Sequence, residues 1–332
     1  MKNCLLLIGA LLAFTATNAQ LTQENVFGHY ILNPVLINPG ATGFQEAHLA
    51  QMNIKSAWAG FDGAPKTYAL NYNGAFGKVL GLGASVRSEN AASLTALHIG
   101  LNYAFRFEPT KDLKLSAGLT TEFTTDRLSD AVLSNRFQSE IADPVIEENV
   151  VGIRHFDMAA GIYGAFKENT FFGLSLPNLV QTRLNTLSQD TLSRTPSFIL
   201  LLGHRMEVKG QDDFSIEPSL MIMRMHDIYR QPIQVELNVL TRFLEERLAA
   251  GLSYRYIPAM ANTQPDFMPS NPGGILKVLL GTKVTAFKVF YSYDLSFQRF
   301  QSYSGGSHEI TLAFDLQGEN NRSRRKRQMR RK

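Results

Sequence analysis

Cysteine is almost absent from this 332-residue sequence, which contains only Cys4. Cys4 lies in an N-terminal segment that has the features of a secretory signal peptide: a positive charge at Lys2, an apolar stretch and the small-residue pattern Thr17-Asn18-Ala19. We predict a signal peptide over residues 1–19, because the apolar stretch is too short to span a membrane as a helix. The mature chain would then have no disulfide and no thiolate metal site.

Charged residues are also scarce, at 19% of the chain, against the usual quarter. Removing Lys2 and the eight basic residues of the C-terminal tail from the formal net charge of +4 leaves a body with a charge of −5. A basic tail behind a signal peptide does not indicate nucleic acid. We expect the tail, residues 318–332, to bind an acidic partner or anionic lipid, or to have no specific role. The tail residues considered for binding are Arg324, Arg325, Lys326, Arg327, Arg330, Arg331 and Lys332.

Long apolar runs are missing from the body of the chain, where apolar residues alternate with polar ones instead. In the clearest segment, one face carries Leu97, Ile99, Leu101, Tyr103, Phe105 and Phe107. Alternation with a period of two is typical of a β-strand with one apolar face. About fourteen such segments follow one another between residues 47 and 317, each close to the length that a tilted membrane strand needs.

The connections between these segments alternate in length. Gly77-Lys78 and Glu245-Glu246 are short, whereas residues 129–154 and 258–273 form long connections. Outer-membrane barrels have short turns on the periplasmic side and long loops outside. We therefore predict an all-β fold, a transmembrane antiparallel β-barrel of about 14 strands over residues 47–317, in a Gram-negative outer membrane. An even strand number would leave both termini in the periplasm.

Patterns that would indicate catalysis or cofactor binding are weak. His155-Phe156-Asp157 suggests an acid–base pair, but no nucleophile motif accompanies it. Gly81-Leu82-Gly83 lies within a strand, which excludes a nucleotide-binding loop. The seven histidines show no metal-ligand spacing. We expect no enzymatic activity, no cofactor and no metal. Charged residues on the inward faces fit either a water-filled pore or a lumen filled by loops or by the N-terminus.

A turn-rich stretch over residues 20–46 precedes the first strand and contains Tyr30-Ile31-Leu32-Asn33-Pro34 and Ile37-Asn38-Pro39-Gly40-Ala41-Thr42-Gly43. Its Asn-Pro pairs and glycines favour turns. Together with the later run Trp58 to Thr67, which includes Gly63-Ala64-Pro65, this stretch resembles the start of the PorP/SprF family of type IX secretion and gliding proteins of Bacteroidota. The sequence departs from the family pattern at Gly40, where alanine is usual, and at Ala57, where glutamine is usual. The signature positions, which we interpret as structural, are Tyr30, Asn33, Pro34, Asn38, Pro39, Gly40, Gly43, Trp58, Gly63, Ala64 and Pro65.

The resemblance implies a non-catalytic outer-membrane component that supports export or surface anchoring of secreted proteins such as adhesins. It implies outer-membrane lipid, periplasmic secretion-machine components and a secreted, adhesin-like surface protein as partners. A porin-like or hydrophobic-ligand channel of the fatty-acid-transporter type stays open as the alternative. Strand parity places residues 30–43 at the periplasmic mouth or in the lumen, and residues 62–65 at the outer mouth.

Overall fold

The computed structural model describes residues 27–61, 63–91, 94–128, 152–180, 182–184, 197–208, 214–224, 233–257, 273–297 and 304–316. The predicted signal peptide and the predicted basic tail lie outside the described residues. Three short 3-10 helices precede the sheet: η1 (Gly28–Ile31), η2 (Pro34–Leu36) and η3 (Pro39–Ala41). None of the helices among the described residues has the length and apolar character needed to cross a membrane.

The rest of the described chain is antiparallel β-structure. The strands are β1 (Leu49–Ser56), β2 (Lys66–Phe76), β3 (Leu80–Ala91), β4 (Leu94–Thr110), β5 (Leu113–Leu128), β6 (Ile153–Phe166), β7 (Thr170–Leu176), β8 (Thr182–Arg183), β9 (Phe198–His204), β10 (Met206–Glu207), β11 (Ser215–Arg224), β12 (Ile233–Phe243), β13 (Leu248–Ile257), β14 (Gly273–Val284), β15 (Phe287–Ser296) and β16 (Ser307–Asp315).

Within the described residues, fourteen of these strands form a closed ring. Each pairs with the next along the chain, β7 pairs with β9 and β9 with β11, and β16 returns to pair with β1. The two-residue strands β8 and β10 add short pairings to β6 and β11. Closure gives each of these fourteen strands a paired neighbour on both sides, as a sheet in a bilayer requires. The predicted fold class, an antiparallel barrel of about 14 strands, is confirmed.

The two faces of the wall differ as the alternation predicts. On β4, the outward side chains from Leu97 to Phe107 are between 42% and 58% exposed, whereas the inward side chains of Asn102 and Arg106 are each 7% exposed. The same division recurs on β12, where Leu237 points outward and Glu236 inward. Apolar groups exposed all around a barrel are stable only against lipid, so the outer face is the membrane surface.

One strand contains a proline, and the pairing beside it is irregular. Pro218 lies within β11 and has no N–H for the ladder. The neighbouring strand is interrupted opposite it, since β9 ends at His204 and β10 begins at Met206. The register is the same on both sides of the gap, with Gly203 opposite Ser219 and Met206 opposite Ile216, so the irregularity is a missing ladder bond and not a bulge.

The lipid face predicts a depth-dependent cost for a charge. Leu237 lies at the middle of β12, and Leu248 at the short-turn end of β13. In lipid vesicles, Leu237→Arg should destabilise the barrel by about 2–4 kcal/mol and Leu248→Arg by about 0–1 kcal/mol, as measured by denaturant titration. Equal costs at the two positions would show that Leu237 does not lie nearer to the middle of the bilayer than Leu248.

Candidate functional site

Residues 28–43, here called the luminal segment, lie inside the barrel. The side chains of His29, Tyr30 and Thr42 are fully buried, at 0% exposure, and Asn33 and Asn38 are at 4% and 2%. The three 3-10 turns are linked in series, with main-chain hydrogen bonds closing each one. Residues 30–43 were expected at the periplasmic mouth or in the lumen, and they lie in the lumen.

The two Asn-Pro pairs start the second and third turns. The side-chain oxygen of Asn33 accepts a hydrogen bond from the Val35 N–H, and that of Asn38 accepts one from the Gly40 N–H at 2.8 Å. Asparagine is a preferred N-cap residue, and a proline at the first helical position has no N–H that would need a partner. The signature thus encodes two capped turns.

The same two asparagines also hold the segment to the barrel wall. Asn33 Nδ2 donates to Gln51 Oε1 on β1 at 2.9 Å, and Asn38 Nδ2 donates to the main-chain oxygen of Ile162 on β6 at 2.9 Å. Each carboxamide therefore accepts a bond from its own turn and donates to two acceptors on the wall. Aspartate would retain the acceptor and lose the donor, which explains why asparagine is the residue at both positions.

The first turn has no side-chain cap of its own, and the wall supplies one. The Glu309 carboxylate on β16 accepts the main-chain N–H groups of Gly28 at 2.8 Å and of His29 at 3.1 Å. Glu309 is 1% exposed. A buried carboxylate needs donors, and a helix start needs acceptors, so each meets the other's requirement.

The His29 ring extends this contact. Its Nδ1 lies 2.6 Å from Thr311 Oγ1 and its Nε2 lies 2.9 Å from Ser292 Oγ. Burial lowers the pKa of His29 to about 4, although the negative charge of Glu309 acts to raise it. The ring is therefore neutral at physiological pH, so one nitrogen donates and the other accepts, and hydroxyl groups can serve both.

Apolar contacts fill the space between these polar bonds. Tyr30, Ile37 and Ala41 of the segment form one buried cluster with the inward side chains of β6, β9 and β11, namely Tyr163, Ile199, Leu201, Met221 and Met223. Ile31 and Leu32 pack against a second cluster of Leu240, Leu279 and Phe290. The Tyr30 hydroxyl is satisfied by Asn238 Nδ2 at 2.7 Å. Burial of these groups stabilises the segment in the lumen.

Glycines of the wall allow the third turn to approach closely. A side chain at Gly81, Gly118 or Gly161 would come closer than 3.0 Å to atoms of residues 38–42 of the segment. Glycine within a strand often marks such a close backbone approach. In the Gly81-Leu82-Gly83 sequence, Gly81 thus gives room for the main chain of Thr42.

The charged side chains of the inner wall pair with one another. Arg255 Nε lies 2.7 Å from Glu236 Oε2, and Lys277 Nζ lies 3.5 Å from Asp294 Oδ2. Arg106 Nη1 donates to the main-chain oxygen of Gly43, where the segment leaves the lumen. The segment thus has partners on strands all around the ring. Of the two alternatives for the lumen, a pore or a filled interior, the described residues form the filled interior.

The second half of the signature lies elsewhere, in the turn between β1 and β2. Trp58, Gly60 and Gly63 have φ angles of 48°, 99° and 73°. Positive φ angles favour glycine, and glycine occupies two of these three positions. The Ala57 N–H donates to the main-chain oxygen of Pro65 at 2.9 Å. The two halves of the signature therefore contact different levels of the barrel and do not form one compact site.

The two ionisable residues of the His155-Phe156-Asp157 sequence have contacts to other groups. His155 Nε2 lies 3.1 Å from Asp126 Oδ2, while Asp157 Oδ1 accepts the main-chain N–H groups of Met158 and Val180. The carboxylate partner of His155 is thus Asp126 on the neighbouring strand β5. Among the described residues, no group of three His, Cys, Asp or Glu side chains is arranged to hold a metal ion.

The residues of the wall that receive the segment have no signature in the sequence; among them are Glu309, Thr311, Gln51 and Asn238. Each lies on an inward face within a regular alternating strand, and nothing local distinguishes it from other polar inward residues. Glycine on an inward face was the one available signal, since Gly118 and Gly161 interrupt otherwise regular strands.

These features define an outer-membrane β-barrel whose lumen is occupied by its own N-terminal segment. Residues 19–314 match the family model described as type IX secretion system membrane protein PorP/SprF. The chain belongs to the PorP/SprF family, and its place is the outer membrane. The predicted family is confirmed, and membership connects the protein with the membrane and with the secretion machinery.

Solved structures with similar folds are outer-membrane barrels. The CymD monoaromatic hydrocarbon channel superposes with a TM-score of 0.51 at 11% identity, covering 88% of this chain and 94% of that one. A Pseudomonas aeruginosa FadL homologue gives a TM-score of 0.48 at 11% identity, with 84% and 93% covered. The Pseudomonas putida toluene transporter TodX gives 0.44 at 10% identity, with 91% and 95% covered. No curated protein matches the chain.

Asn33 and Asn38 donate to different kinds of acceptor, so we expect replacement by aspartate to cost a different amount at each position. Asn38→Asp should destabilise the barrel by about 1–3 kcal/mol, because the new oxygen faces the fixed main-chain oxygens of Ile162 and Leu174. Asn33→Asp should cost less, since its two acceptors, Gln51 Oε1 and Asn71 Oδ1, belong to side chains that can move away from the new oxygen, whereas main-chain oxygens cannot. Denaturant unfolding followed by the fluorescence of Trp58, the single tryptophan, measures both. A larger loss for Asn33→Asp would contradict this assignment of donors.

Proposed function

We propose that this protein is a non-catalytic outer-membrane component of type IX secretion that supports export or surface anchoring of secreted proteins such as adhesins. Family membership supports the secretion role. The observation that carries the proposal is the luminal segment, which is bonded to β1, β6, β12 and β16 and packed between β6, β9 and β11. A lumen occupied in this way suits a fixed docking platform better than a conduit for solutes.

The alternative is a porin-like or hydrophobic-ligand channel. Its support is the fold likeness to a monoaromatic hydrocarbon channel and the apolar cluster around Tyr30 and Ile37. That cluster is built from the segment's own side chains packed against the wall. A ligand path through it would require the segment to move, together with its bonds to Asn238, Ile162 and Glu309.

In the proposed role, the two ends of the barrel face different partners. The short turns, such as Leu244 to Arg247, face periplasmic components of the secretion machinery. The end that carries Phe61 faces the secreted surface protein. Phe61 is 36% exposed and Glu245 is 72% exposed, so both ends offer accessible positions for contact. Partner capture by surface contact needs no reactive group, in keeping with a protein that is not an enzyme.

Site-specific photo-crosslinking in cells tests this role. A photoreactive side chain at Phe61 should capture a secreted surface protein, and one at Glu245 should capture a component of the secretion machinery. The same group at Leu237, on the lipid face, is the matched control and should capture neither. If neither Phe61 nor Glu245 yields a secretion or surface protein above the Leu237 control, the secretion role is wrong.

Planar-bilayer recording separates the platform from the channel. The purified barrel should show no steady open conductance, because the luminal segment is bonded to the wall at several levels. An open porin inserted in the same bilayers serves as the positive control. A steady open conductance from the unaltered protein would favour the channel over the platform.

A further inference from the structure

The ring closes along one seam, the pairing of β1 with β16. The two strands join over the pairs from Leu49 with Asp315 to Ser56 with His308. Their other neighbours in the ring are close to them along the chain, whereas residues 57–306 separate β1 from β16. Closing a longer loop costs more conformational entropy, so this seam is the pairing that most needs additional contacts.

The first turn of the luminal segment straddles this seam. On one side, His29 bonds to Thr311 of β16 and Ser292 of β15. On the other side, Asn33 bonds to Gln51 of β1. The turn between them is closed by the Asn33 N–H donating to the His29 main-chain oxygen at 3.2 Å. One short turn therefore links the first strand of the barrel to its last two.

Side chains of the wall complete the link. Gln51 Nε2 donates to Asn53 Oδ1 at 2.8 Å, and Asn53 Nδ2 donates across the seam to Thr311 Oγ1 at 2.6 Å. Thr311 Oγ1 also meets His29 Nδ1. Asn33, Gln51, Asn53, Thr311 and His29 thus form a closed circuit of hydrogen bonds, with every member at most 4% exposed. Buried networks of this kind are strong only when every member is in place.

The second half of the signature holds the same seam at the other end of the strands. Beyond Ser56, the Ala59 N–H donates to the main-chain oxygen of Gly306 at 2.7 Å. The Gly305 N–H in turn donates to the main-chain oxygen of Ala59. The Trp58 N–H donates to Ser307 Oγ at 3.1 Å. These bonds continue the pairing of β1 with the residues that lead into β16.

We propose that the two halves of the signature together form a clasp for the closing seam and so act in assembly of the barrel, a role that goes beyond cargo handling. The luminal segment precedes β1 in the chain, so it can dock on the β1–β2 hairpin before β16 is added. β16 then brings Glu309 and Thr311 onto main-chain N–H groups and a histidine that are already in place. Without the segment, the Glu309 carboxylate and the Thr311 hydroxyl on β16 would lose these partners, and the seam would lose the contacts that link β16 to β1.

Paired disulfides test the clasp. The only cysteine is Cys4, in the predicted signal peptide, so a new pair has no competing thiol in the mature chain. The seam pair is Met52→Cys with Leu312→Cys, opposite each other on β1 and β16. The matched control is Thr282→Cys with Val289→Cys, opposite each other on β14 and β15. The clasp variant is His29→Ala with Asn33→Ala.

The apparent Tm is measured with and without the clasp variant in three backgrounds: no disulfide, the seam pair and the control pair. Without a disulfide, the clasp variant should lower Tm by roughly 5–10 °C. The seam pair should at least halve that loss, and the control pair should leave it unchanged. Asn38→Ala, which removes bonds to β6 and β7 instead, should lose as much Tm with the seam pair as without it.

Equal losses in all three backgrounds, or equal rescue by both disulfides, would overturn the clasp. If the clasp variant does not assemble at all, assembly in cells replaces Tm as the readout, followed as the heat-modifiable band on gels. Recovery with the seam pair alone supports the clasp, whereas recovery with both pairs or with neither overturns it. Thr311→Val, which removes one hydroxyl from the circuit, provides a milder variant for the same comparison.

Discussion

Main-chain polar groups inside the barrel must all find partners, and the structure depends on how they do so. The wall meets this requirement by closing into a ring, so that no strand edge faces lipid. The luminal segment has no ladder to join and meets it in short turns. Asn33 and Asn38 cap two of these turns from within, and Glu309 of the wall caps the first. Each cap also fixes where the segment lies.

The same requirement explains the composition of the segment. Asparagine provides a donor and an acceptor in one small side chain, and proline removes an N–H that would otherwise need a partner. Glycines of the wall, such as Gly118, allow the main chain to come close enough for these bonds. An outer-membrane protein of the type IX secretion system thereby holds its own N-terminal segment inside the barrel. In the proposed role, this leaves the two ends of the barrel as its working surfaces.

Much of the barrel could be predicted from the sequence, because a lipid-facing strand displays its environment in every second residue. The alternating segment from Leu97 to Phe107 lies within β4, and the barrel predicted over residues 47–317 corresponds to strands that run from Leu49 to Asp315. The partners of the luminal segment could not be predicted. Asn33 and Asn38 indicate turns locally, but their bonds to Gln51 and Ile162 depend on contacts distant in sequence. In the sequence, Glu309 looks like any other inward carboxylate, because its contact with the luminal segment exists only in the folded barrel.

The central claim is that the luminal segment is a fixed part of the barrel, held by hydrogen bonds to the wall. Hydrogen–deuterium exchange of the protein in lipid nanodiscs tests it most directly, because the N–H groups of Gly28, His29 and Gly40 are all bonded. The account predicts that peptides covering residues 28–43 exchange as slowly as peptides from β12 and β16. Complete exchange of residues 28–43 within seconds, while the strands stay protected, would contradict it.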